Sequence, residues 1–112
     1  MPYHSTPLDL AFHALSDPTR RAVVSRLAEG EMPVSALAEP FDMALPSFAQ
    51  HLGVLEDCGL VRSRKVGRVR TYYLVPGPLK RVESWLDRQR THWERRLDQL
   101  DEHLATLKDL QS

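Results

Sequence analysis

Apolar residues recur along this chain at helical spacing in five stretches and alternate with polar ones in a sixth. Leu8, Phe12 and Leu15 predict a short first helix over residues 8–15. Ser16-Asp17-Pro18 then reads as a helix start, because Asp17 or Ser16 can accept from first-turn amides and Pro18 suits the first helical position. Val23, Val24 and Leu27 line one face of that second helix, and Gly30 stops it. Pro33 is expected to open a third helix through Val34, Leu37, Ala38 and Phe41, with Pro40 ending it close by. After an Asp42-Met43-Ala44 turn, Pro46 opens a fourth helix that Gly59 ends. Residues 17–58 would thus form a compact helical core.

Leu60–Lys65 and Val69–Val75 read as two strands of a hairpin with Gly67-Arg68 at its tip. Their valine, threonine and tyrosine content suits a pleated surface. Pro76-Gly77-Pro78 is expected to break the chain, after which residues 79–110 form a long helix. Residues 1–7, with two prolines and no apolar period, are expected to be a loose arm. The fold class is therefore mainly α with a β-hairpin, one domain over 1–112.

The last helix carries Leu79, Val82, Leu86, Trp93, Leu97, Leu100, Leu104 and Leu107 at three-to-four spacing. Such a stripe is too long for so small a domain to cover. A second copy of the chain is the simplest cover, so a homodimer is expected through this helix, with Leu8 and Phe12 of the first helix added.

Net charge is zero, but its distribution is uneven. Residues 1–43 hold three basic and six acidic side chains, residues 44–77 five and two, and residues 78–112 seven of each. The cationic segment is the hairpin, with Arg62, Arg64, Lys65, Arg68 and Arg70. It follows directly on the fourth helix, where Phe48, Leu52 and Leu55 share one face and Ser47, Gln50, His51 and Val54 share another at i, i+3, i+4 and i+7. A helix fixed to a core with its polar edge outward, beside a cationic ribbon, suits a DNA duplex. Read alone, that polar edge could be ordinary solvated surface; the neighbouring ribbon favours double-stranded DNA as the partner, in a winged helix-turn-helix arrangement.

Ser47, Gln50, His51 and Val54 are the candidates for base edges, and Arg64, Lys65, Arg68 and Arg70 for phosphates and the minor groove. Strand alternation puts Arg62 and Arg64 opposite Ser63 and Lys65, so all five cations cannot meet DNA in one register; the tip set Lys65, Arg68 and Arg70 is preferred. Ala44 and Leu45 offer no capping side chain, leaving first-turn amides to a phosphate oxygen or to water. Arg20 and Arg21 stand either near the DNA backbone or in internal pairs.

The segments Ala14-Leu15-Ser16-Asp17-Pro18-Thr19-Arg20-Arg21, Leu37-Ala38-Glu39-Pro40-Phe41-Asp42-Met43 and His51-Leu52-x-Val54-Leu55-Glu56-x-x-Gly59-Leu60-Val61 occur in register with Gly67-Arg68 and the Trp85…Trp93 tail. Over residues 10–107 the chain resembles the ArsR/SmtB family of bacterial repressors, in its metal-independent branch. The resemblance implies a dimer that binds an operator palindrome until a signal releases it. Ala44, Ala49 and Gln50 stand where that family usually has serine, serine and a cation. A cation is thereby lost from the DNA face, while Gln50 can make a two-point contact to adenine, so an A/T-leaning operator is expected.

The family's metal positions are not reproduced. The third-helix segment reads Val34-Ser35-Ala36-Leu37-Ala38 with no cysteine, and His92 and His103 are flanked by Arg90 and Thr106 instead of carboxylates. No metal and no cofactor are expected. Cys58, the single cysteine, excludes an internal disulfide and suits a reducing cytoplasm; at a helix C-terminus its thiol faces the negative dipole end, so a packed side chain is expected before a redox sensor. Trp85, Trp93, Tyr72 and Tyr73 could line a small-molecule pocket, but core packing accounts for them more simply. No run approaches the ~18 apolar residues of a membrane span, the N-terminus lacks a signal-peptide pattern, and no catalytic constellation is present. A dimeric protein-interaction module, or a metal- or redox-responsive sensor of the same fold, stands as the alternative.

Overall fold

The computed structural model describes residues 6–111. Its elements are α1 (Pro7–Leu15), α2 (Pro18–Ala28), β1 (Met32–Pro33), α3 (Val34–Ala38), α4 (Leu45–Asp57), β2 (Val61–Val66), β3 (Val69–Leu74) and α5 (Pro76–Gln111). They form two compact units, one up to Val82 and one from Glu83 on. The expected winged helix-turn-helix order is present, with one strand more than the periodicity implied. Among the described residues no helix is long and apolar enough to cross a membrane.

Helix α1 starts earlier than Leu8. Thr6 and Asp9 form a capping box, each side chain bonding the other's backbone N–H at 3.1 Å. Of the arm expected over residues 1–7, positions 1–5 lie outside the described residues. Asp17 caps α2 as expected, its carboxylate accepting from the Arg20 amide at 3.0 Å. Two arginines of α2 then satisfy the last carbonyls of α1: Arg20 donates to Ala14 and His13, and Arg21 to Leu15. Carbonyls of α1, not an ion pair, thus hold Arg20 and Arg21 among the described residues.

Helix α3 is shorter than expected because Pro40 has no N–H to offer the Ala36 carbonyl. Arg26 donates to that carbonyl instead, at 3.1 Å. Phe41 lies beyond the helix, reached by a turn from Ala38, and its ring packs 5.2 Å from that of Phe48. Pro33 does not start the helix; it has extended backbone and ends β1, a two-residue edge strand. The sheet order is β1-β3-β2, all antiparallel.

Helix α4 ends in a Schellman motif. Gly59, at φ +78°, and Leu60 donate to the carbonyls of Glu56 and Leu55. The hairpin tip is the two-residue Gly67-Arg68 turn, and positive φ at Gly67 alone fits type II′. Val23, Leu27, Leu37, Phe48, Leu52, Leu55, Leu60, Val61 and Tyr72 make the core, which joins α2, α3 and α4 to the sheet.

Pro76-Gly77-Pro78 does not break the chain but begins α5. Amides of a helix's first turn have no intrahelical acceptor, so two prolines there forfeit no bond. From Glu83 on, Leu86, Trp93, Leu97, Leu100, Leu104 and Leu107 are each between 42% and 59% exposed.

Candidate nucleic-acid interface

One edge of α4 is open near its N-terminus, and the face opposite is covered along its length. Leu45, Ser47, Ala49 and Gln50 are exposed, while Phe48, Leu52 and Leu55 enter the core. Ala44 supplies no side-chain cap. Ser47 and Gln50 therefore share an accessible edge, as the spacing predicted.

The other two members of that edge do not. Val54 is half-buried against the core and lines a shallow cavity with Leu10, His13, Asp57 and Cys58. It shares the angular position of Ser47, but α1 packs on this end of α4, which periodicity cannot see. His51 is also half-buried. Its Nδ1 lies 3.2 Å from Arg20 Nη1 and 3.7 Å from Asp17 Oδ2. The Asp17 carboxyl is held below its ordinary value, chiefly by the Arg20 amide and further by His51. Asp17, Arg20 and His51 thus clamp α4 to the N-terminus of α2.

Register divides the wing cations between two faces. Arg62 pairs with Tyr73 and Arg64 with Thr71, while Ser63 pairs with Tyr72 and Lys65 with Arg70. Tyr72 points into the core, so Lys65 and Arg70 stand further out along the core-side face of the hairpin. Arg64 is on the opposite face, where Nη2 donates to Glu31 at 2.5 Å and the guanidinium lies 5.6 Å from the Tyr73 ring centroid. Lys65 and Arg68 are exposed and form no ion pair among the described residues; Arg70 donates to Ser63 Oγ at 2.8 Å. Burial pushes the Tyr72 phenol up, and the neighbouring Glu56 carboxylate adds to the shift. That contact ties the C-terminal end of α4 to the middle strand of the sheet.

Cys58 Sγ donates to the Leu55 carbonyl at 3.3 Å and packs against the core. Among the described residues no three His, Cys, Asp or Glu side chains converge as metal ligands, and His92 and His103 are both exposed on α5. Sequence reasoning missed three participants. Glu31 lies 33 residues from Arg64, the Asp17–Arg20–His51 clamp spans two helices, and Leu45 carried no periodic signal.

A helix-turn-helix domain family matches residues 15–64. The HTH-type transcriptional regulator Rv2034 of Mycobacterium tuberculosis is 43% identical over 89 residues, covering 80% of each chain. The transcriptional repressor SdpR of Bacillus subtilis is 32% identical over 75 residues, 67% of this chain and 83% of its own. A crystal structure of an ArsR family transcriptional regulator superposes with a TM-score of 0.75 at 51% identity, over 84% of this chain and 97% of that one. An ArsR-like regulator from Rhodococcus sp. RHA1 gives 0.70 at 34% identity, over 86% and 91%. Sharing their helix order, their hairpin and this much of their sequence, the chain belongs to the ArsR/SmtB family of DNA-binding winged helix-turn-helix transcriptional regulators.

Proposed function

We propose that this chain is a repressor that binds a palindromic operator as a homodimer, with α4 of each copy in a major groove and the β2–β3 wing on the adjacent backbone. Ser47 and Gln50 reach base edges, and Lys65, Arg68 and Arg70 meet phosphates. His51 serves as a positioning residue for α4, while Val54 and Arg64 take structural roles. The observation that carries this reading is the placement of Lys65 directly opposite Arg70, with no acid paired to either among the described residues. Like charges facing across a hairpin destabilise it, and a polyanion relieves them. The apolar side chains of α5 from Leu86 to Leu107 form the seam with the second copy, and Leu8 and Phe12 of α1 add to it. Repression accords with the name of the relative SdpR. A DNA target implies work in the cytoplasm.

The test is selection from a random duplex pool with the purified chain, followed by salt titration on the winner. A symmetric site is expected, with half-sites about 34–36 Å apart. Three phosphate cations per copy give a log K against log salt slope near −5. Gln50→Ala should cost about 1–3 kcal/mol on that site and flatten its base preference. A chain that pairs with itself yet shifts no duplex at about 50 mM salt is an interaction module, and the proposal is then wrong.

A further inference from the structure

Leu45 is 69% exposed, more than any other large apolar side chain among the described residues up to Val82. A single exposed leucine means little by itself. This one has company and a position. Ala49, one turn on, and Ala44, just before it, are exposed as well, so the front of α4 presents a small apolar patch on the flank toward α3, about 140° round the helix from Gln50. Side chains of a helix lean toward its N-terminus, and it is the N-terminal residues of a recognition helix that meet base edges.

The major-groove edge of DNA has one apolar group, the C5-methyl of thymine. Thymine pairs with adenine, whose N6 and N7 are the two-point match for a glutamine amide. The leucine and the glutamine therefore both favour A·T pairs, through different chemistry and from different flanks of the helix. We infer that Leu45, backed by Ala49, is a specificity-determining residue that packs on a thymine methyl in each operator half-site, on the flank of α4 away from the adenine bound by Gln50. The inference rests on α4 entering the major groove, as proposed above. The patch continues into a shallow open groove lined by Val34 and Ala38 of α3, which could seat a peptide instead; the experiment separates the two.

The selected operator is prepared with each thymine replaced in turn by deoxyuridine, which removes the methyl and keeps the base pair. At one thymine or more per half-site, affinity of the full chain should fall about fourfold, the worth of one buried methyl. Leu45→Ala should bind the thymine duplex more weakly and show no thymine–uracil difference at that position, while keeping the differences elsewhere. Its thermal midpoint should be unchanged, since the side chain is exposed. Equal binding of uracil and thymine duplexes by the parent chain overturns the inference, as does an undiminished ratio in Leu45→Ala. In both cases sequence-selective binding survives, so the repressor reading stands. If no sequence is enriched at all, the recognition-helix reading fails first and the inference falls with it.

Discussion

The two units of this molecule carry the same kind of apolar periodicity and treat it in opposite ways. In the residues up to Val82, Phe48, Leu37, Leu55 and Leu60 are almost wholly buried. From Glu83 on, every leucine in the stripe is more than two-fifths exposed. An apolar face at helical spacing specifies a need for cover but not its source. In the first unit the cover is the chain itself; in the second, on the proposal above, it is another copy.

That contrast can be broken at either end, and the largest effect is expected at the seam. Leu100→Asp removes an apolar contact twice in a symmetric dimer, about 3–6 kcal/mol in all, and places two charges there. Sedimentation should show single subunits at micromolar concentration, and operator affinity should fall at least a hundredfold. A persisting dimer would locate the seam elsewhere. Phe48→Ala, in the first unit, should cost about 3–5 kcal/mol of unfolding free energy. Its signature is different: the melt loses its midpoint at every protein concentration, whereas Leu100→Asp makes the midpoint independent of concentration.

A smaller contrast lies within the hairpin, between cations on its two faces. Arg68→Ala should reduce the salt slope by about 2, one contact from each copy, and weaken all duplexes alike. Arg64→Ala should leave the slope unchanged, since Glu31 already holds that guanidinium. If both variants flatten the slope equally, register is a poor guide to which cations meet phosphate.

Local signals in the sequence predicted most elements well. Asp17-Pro18 named the start of α2, Gly59 the end of α4 and Gly67-Arg68 the hairpin tip, because each acts through its own backbone or side chain. What was illegible depends on distant partners. Strand β1 exists only by pairing Met32 and Pro33 with β3, and a proline there looked like a helix start. The prolines before Leu79 looked like a break, yet their missing amides are harmless in a first turn. For the site, Ser47 and Gln50 were legible from spacing alone. His51 and Val54 shared that spacing, but α1 and α2 lie over them. Arg64 looked free until the fold brought Glu31 beside it.

The clamp on α4 offers the smallest effect and the sharpest sign. Asp17 has its carboxyl held below its ordinary value of 3.8, so its charge favours the folded state above that value. As pH falls through the depressed value the carboxylate is protonated and that stabilisation is lost. Asp17→Asn keeps a good N-cap while removing the charge. The parent should therefore melt higher than Asp17→Asn at pH 7, and the gap should close as the pH drops below the ordinary carboxylate range. A gap that stays constant into acid would mean that cap geometry, not charge, secures the Arg20 amide. The same variant loosens the hold on His51, so operator affinity at neutral pH should fall modestly even though residue 17 touches no DNA. An unchanged affinity would assign the clamp to stability alone, leaving the pose of α4 to its buried face of Phe48, Leu52 and Leu55.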